Sequence, residues 1–136
     1  KLKDKFPNLE MSFTGKGFNI GKKTALVGDK GHVVVDTASP KEHKMAAENG
    51  LELVGQSLAQ KPFLLVMDEV LNAVSEGLLD EDKVIEIINM RGESHIIMTG
   101  RGVSEGIINV ADLVTECRKI KHPYDVGKLA VKGLDF

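Results

Sequence analysis

An α/β fold, a parallel sheet with helices on both faces, is predicted by three features of the chain. Residues 63–67, Phe-Leu-Leu-Val-Met, form an apolar run of strand length that closes abruptly on Asp68 and Glu69. Downstream, strand-like runs alternate with helical ones, the pattern of right-handed β-α-β crossovers. Upstream, Ser39-Pro40-Lys41-Glu42 is a strong helix start: serine can cap, proline suits the first helical position and glutamate completes a capping box.

The elements follow in order. Residues 9–13 read as a short strand after the turn-prone Pro7-Asn8, running into the glycine-rich Thr14-Gly15-Lys16-Gly17-Phe18-Asn19-Ile20-Gly21. The β-branched runs at 24–27 and 32–36 flank Gly28-Asp29-Lys30-Gly31, which predicts a hairpin that inserts near 22–36, outside the main sheet. A helix is expected over 40–59, where Gly50 and Gly55 each cost about 1 kcal/mol relative to alanine and allow a kink near Gly50. Then come a strand at 63–67, a short helix at 70–75 closed by Gly77, and a helix at 81–90 closed by Gly92. A strand at 95–99, a helix at 104–111 capped by Ser104 and a strand at 113–116 complete the alternation. Residues 123–136 read as a loop with one or two amphipathic turns.

With 136 residues, 42% of them hydrophobic and 28% charged, the chain suits a single domain over 1–136. A net charge of −2 gives no electrostatic pull toward nucleic acid or membrane. The apolar runs fall far short of the roughly 20 residues that span a bilayer. The lone Cys117 cannot pair internally and fits a reducing compartment, so the cytoplasm is expected. The chain opens on Lys1, and its first residues read as the exit of something upstream.

Asp68 and Glu69 leave the sheet at its carboxyl edge, where such acids can serve a magnesium ion beside a nucleotide; they are equally suited to a helix N-terminus over 70–75. Thr99-Gly100-Arg101-Gly102 closes the next strand at the same edge. Its arginine can meet a phosphate bidentately, or simply sit on the surface of a glycine-rich turn. No G-x-x-x-x-G-K-[ST] phosphate loop occurs. Gly15-Lys16-Gly17 and Gly21-Lys22-Lys23-Thr24 imitate one, with the wrong spacing and no helix to follow. His32, His43, His95 and His122 lack metal-ligand spacing, no G-x-S-x-G elbow is present, and Cys117 reads as a small core residue on a strand.

Four ordered blocks then carry a resemblance. They are Val66-Met67-Asp68-Glu69-Val70-Leu71-Asn72-Ala73; Ile97-Met98-Thr99-Gly100-Arg101-Gly102; Ala111-Asp112-Leu113-Val114-Thr115-Glu116; and Lys121-His122-Pro123-Tyr124-Asp125-Val126-Gly127 with Lys132-Gly133-Leu134-Asp135-Phe136. With Gly15-Lys16-Gly17-Phe18 upstream, the chain resembles the ATP:corrinoid adenosyltransferase family. The resemblance implies a P-loop NTPase (RecA-like) fold whose phosphate-loop strand and helix would precede Lys1. It implies transfer of the 5′-deoxyadenosyl group of ATP to the cobalt of a reduced corrinoid such as cob(I)alamin, in cobalamin biosynthesis or salvage, with Mg2+ as cofactor. Co(I) is itself the nucleophile, so no nucleophilic side chain is needed. On the same mapping Asp68 and Glu69 serve the metal and phosphates, Thr99 and Arg101 the nucleotide, and Gly17, Phe18 and Ile20 the corrinoid. Ile20 stands where the family usually has tryptophan. A flavoprotein electron donor is the expected protein partner, and a sheet lacking its central strand would expose edges that invite a homodimer. The competing expectation is a shortened, non-catalytic relative that binds a corrinoid or a protein.

Overall fold

The structure, a computed structural model, describes residues 5–15, 26–27, 33–34 and 38–128. Strands β1 (Leu26–Val27) and β2 (Val33–Val34) pair antiparallel, with Leu26 opposite Val34 and Val27 opposite Val33, in a sheet of their own. These are the arms of the hairpin expected near 22–36; its turn lies outside the described residues.

Helix α1 (Pro40–Leu58) starts as its sequence dictates. The Ser39 hydroxyl accepts the Glu42 N–H at 3.3 Å, while the Ser39 N–H donates to the Glu42 carboxylate at 2.7 Å, closing the capping box. The helix runs unbroken through Gly50, which stands at a packing contact. Gly50 is buried, and a Cβ there would come within 2.8 Å of the Thr14 hydroxyl oxygen. A Cβ at Gly55 would lie 3.3 Å from Ile87 Cδ1. Both glycines are points of close approach, and contact offsets their poor helix propensity.

Strands β3 (Leu64–Met67) and β4 (His95–Met98) form a two-stranded parallel sheet in which Leu64 pairs with His95 and Met67 with Met98. Helices α2 (Val70–Ser75) and α3 (Glu81–Asn89) lie between them, and α4 (Glu105–Val110) follows β4. Asp80 caps α3 by accepting the Asp82 N–H at 3.0 Å, and Ser104 caps α4 by accepting the Ile107 N–H at 3.3 Å. Period-2 alternation sends Met67 into the core and half-buries Leu65, while Leu64 and Val66 stay exposed. The core joins Leu51 of α1, Met67, Val70, Leu79, Val84 and Ile88 of α3, and Ile107 of α4. Val84 is 0% and Ile107 2% exposed. The α/β class with a small parallel sheet and helices is therefore observed.

Several expectations are corrected. Residues 9–13 and 113–116 are irregular rather than strands, and Phe13 and Leu113 are exposed. Strands need a neighbour to take their backbone hydrogen bonds, and among the described residues none lies beside either segment. Cys117 is accordingly exposed, not a core residue. The predicted ends of α3, β4 and α4 shrink by a residue, and residues 123–126 form a 3-10 turn (Pro123–Val126) held by a Lys119–Asp125 ion pair at 2.7 Å.

Candidate functional site

Parallel pairing in register places the carboxyl ends of β3 and β4 side by side, so Asp68 and Thr99, each the first residue past its strand, become neighbours. The Thr99 N–H extends the ladder by one step, donating to the Met67 carbonyl at 3.2 Å. The Thr99 hydroxyl donates to Asp68 Oδ1 at 2.5 Å and accepts the Glu69 N–H at 2.9 Å. One hydroxyl thus ties both acidic residues that follow β3 to the end of β4. The Thr99 carbonyl in turn accepts the Leu71 N–H at 3.2 Å, anchoring the first turn of α2 to the same point.

Glu69 carries the sharp reversal from β3 into α2. Its φ of 57° and ψ of 16° are left-handed, a conformation that costs a residue with a Cβ roughly 1–2 kcal/mol. It occupies the N-cap position of α2 yet makes no side-chain capping bond, and its side chain is exposed. The helix terminus accounts for the position of Glu69 but leaves its carboxylate without capping work. A strained non-glycine residue at a strand end is the kind of feature that gathers at functional sites.

The turn after Thr99 is shaped by α2. Gly100 (φ +139°) has the Asn72 Oδ1 and Leu71 Cβ atoms 2.8 Å from where its own Cβ would stand, and Gly102 (φ +69°) meets Ser75 Cβ at 2.9 Å. Only glycine fits these approaches. Asn72 Oδ1 accepts the Arg101 N–H at 2.6 Å, which fixes the backbone of the turn and leaves the Arg101 side chain exposed. Asn72 is the residue that sequence reasoning missed: a poor helix former in the first turn of a short helix was the available signal. Asp68, Glu69, Thr99 and the Arg101 backbone are therefore brought to one edge. Gly17, Phe18 and Ile20 lie outside the described residues.

Among the described residues no group of three or more His, Cys, Asp or Glu is placed to hold a metal ion. Asp68 and Glu69 are adjacent exposed carboxylates, and only Oδ1 of Asp68 is engaged by Thr99. That donor set does not make an all-protein cage. It fits Mg2+, which keeps several waters and takes one or two carboxylates together with phosphate oxygens. A groove of about 590 Å3 lies elsewhere, along α1, lined by Phe13, Thr14, Met45, Asn49 and Leu53 among others, with none of the edge residues in its wall. No helix among the described residues is long and apolar enough to cross a membrane.

A corrinoid adenosyltransferase of Pseudomonas aeruginosa is 38% identical over 92 residues, 66% of this chain and 45% of that protein. Corrinoid adenosyltransferase CobA of Salmonella typhimurium is 36% identical over 85 residues, 60% of this chain and 43% of that protein. The corrinoid adenosyltransferase of Escherichia coli strain K12 is 28% identical over 144 aligned positions that take in 99% of this chain and 67% of the relative. The chain thus spans about half the length of the first two relatives. The model of the ATP:corrinoid adenosyltransferase BtuR/CobO/CobP family matches residues 2–136, and the chain belongs to that family.

Proposed function

We propose that the protein transfers the 5′-deoxyadenosyl group of ATP to the cobalt of a reduced corrinoid, as a transferase of cobalamin biosynthesis or salvage. The observation that carries this reading is the Asp68–Thr99–Glu69 joint, an acidic edge built at the carboxyl end of a parallel sheet within a family match over residues 2–136. In the reaction the Co(I) electron pair forms the cobalt–carbon bond at C5′, the C5′–O bond breaks, and triphosphate leaves. The protein's part is positioning and charge.

Each residue has a defined task. Thr99 holds the Asp68 carboxylate and the Glu69 backbone in place through its hydroxyl, so the Asp68 carboxylate and the point from which the Glu69 side chain leaves are set before the nucleotide binds. Asp68 and Glu69 would hold Mg2+, which supplies charge neutralisation to the departing triphosphate. Asn72 sets the backbone of the turn from which the Arg101 guanidinium reaches phosphate oxygens. Gly17, Phe18 and Ile20 contribute an apolar bed for the corrinoid that disfavours its lower axial ligand. We read the fold as the P-loop NTPase type, with helices on both sheet faces, and the protein as cytoplasmic. A flavoprotein donor matches the need for Co(I), and a homodimer would cover exposed apolar side chains such as Val66 and Ile97. The test is ATP- and Mg2+-dependent adenosylation of chemically reduced cobalamin. Formation of the light-sensitive alkyl product supports the reading, and corrinoid binding without alkylation overturns it.

A further inference from the structure

Helix α2 holds the turn after β4 at successive points along one side. The Leu71 N–H donates to the Thr99 carbonyl at 3.2 Å. The Arg101 N–H donates to Asn72 Oδ1 at 2.6 Å, and Gly100 runs so close to the helix that a Cβ there would stand 2.8 Å from Leu71 Cβ. Further along α2, Gly102 meets Ser75: a Cβ on Gly102 would lie 2.9 Å from Ser75 Cβ and 3.3 Å from Ser75 Oγ. The Ser75 hydroxyl donates to the Asn72 carbonyl at 3.0 Å, which turns it back onto its own helix and fixes the rotamer against which Gly102 rests. Asn72 and Ser75 are three residues apart and share one face of α2. Their partners Gly100 and Gly102, both at positive φ, flank Arg101 on either side. The Arg101 backbone is therefore pinned, whereas its side chain is exposed and takes part in no ion pair among the described residues. A guanidinium with a fixed root and open donors is prepared for an anion, because less freedom remains to be lost on binding.

We propose that Asn72 and Ser75 act together as positioning residues for the polyphosphate of the nucleotide: a two-point clamp on Gly100 and Gly102 that sets the root of Arg101 at the edge shared with Asp68 and Thr99. The inference rests on the proposed phosphate role of Arg101. It goes beyond that role by making Ser75 the second point of the clamp and by assigning the clamp to the triphosphate itself. Its consequence is selective. Loosening either point weakens binding of the triphosphate only as long as the Arg101 guanidinium is there to be positioned.

The test is calorimetric titration of the full chain in Mg2+, with ATP and inorganic triphosphate as probes. Arg101→Ala removes the guanidinium, and Asn72→Ala removes the acceptor that holds its backbone. Each is expected to raise the Kd for both probes about tenfold, the scale of one charged hydrogen bond. In the Arg101→Ala background Asn72→Ala should add nothing, since the turn then has no charge to position. Gly102→Ala adds a Cβ that presses on Ser75 from the turn side and leaves α2 untouched. It should reproduce the weaker binding, again only where Arg101 is present, and it carries the test should Asn72→Ala fail to fold. Unchanged triphosphate affinity in both Asn72→Ala and Gly102→Ala overturns the inference. So does a loss confined to ATP, or a loss that multiplies in the double variants, the mark of a general disturbance of the edge. An Arg101→Ala protein that binds triphosphate as the unsubstituted protein does overturns the phosphate role of Arg101 itself, a result distinct from these. An unsubstituted protein that binds neither probe overturns the nucleotide reading of the edge.

Discussion

Glu69→Ala and Glu69→Gly remove the same carboxylate, but only glycine relieves the backbone. Glu69 holds φ 57° and ψ 16°, and alanine at that position keeps the left-handed penalty of roughly 1–2 kcal/mol because it keeps a Cβ. Glycine escapes the penalty but gains freedom in the unfolded chain, which returns about 0.4–1 kcal/mol. The difference leaves Glu69→Gly more stable than Glu69→Ala by roughly 1 kcal/mol. With a urea slope of about 2 kcal/mol/M, the midpoints should differ by about 0.5 M, and melting temperatures by about 3 °C. Both variants should lose adenosyl transfer alike, because both lack the carboxylate proposed to serve Mg2+. Equilibrium urea unfolding followed by far-UV circular dichroism measures the first difference, and steady-state assays the second. A Glu69→Ala protein as stable as Glu69→Gly refutes the strained turn, and a Glu69→Gly protein with full activity refutes the role given to the carboxylate.

Further outcomes concern the joint and the packing that supports it. Thr99→Val keeps the shape of the side chain but leaves the Asp68 carboxylate and the Glu69 N–H without their shared partner; the site is open to water, so a loss of about 1 kcal/mol in urea unfolding is expected, with a raised KM for ATP. Ser39→Ala opens the capping box of α1 and should cost about 1 kcal/mol in the same measurement. Ile107→Ala empties a fully buried site and should cost about 3 kcal/mol, whereas Ile120→Ala, at an exposed position, should stay within about 0.5 kcal/mol by thermal unfolding.

The legible parts of the fold are those whose signals are local. Ser39 and Glu42, Asp80, and Ser104 announce their helices because capping chemistry acts within three residues, and β3 and β4 announce themselves as apolar runs. The proximity of Asp68, Glu69 and Thr99 was legible for the same reason: they immediately follow those strands, so parallel register alone brings them together. What escaped depends on partners distant in sequence. Residues 113–116 have strand-like composition but no neighbouring strand among the described residues, and Cys117 follows them to the surface. The close approach at Gly50 involves Thr14, and the turn at Arg101 depends on Asn72, contacts that no local pattern encodes. The left-handed turn at Glu69 was equally invisible, since glutamate is not the residue that such a conformation selects.

The acidic edge as the magnesium and nucleotide edge of an adenosyltransferase is tested most directly by single-turnover alkylation of chemically reduced cobalamin with ATP and Mg2+, comparing the native protein with Glu69→Gln. The native protein should form the light-sensitive adenosyl product with release of triphosphate. The variant should form it on the order of 10²-fold more slowly, the scale expected when a preorganised electrostatic group is lost, with corrinoid binding unchanged. Equal rates for the two proteins would contradict the assignment, and so would a native protein that binds the reduced corrinoid and ATP yet forms no cobalt–carbon bond.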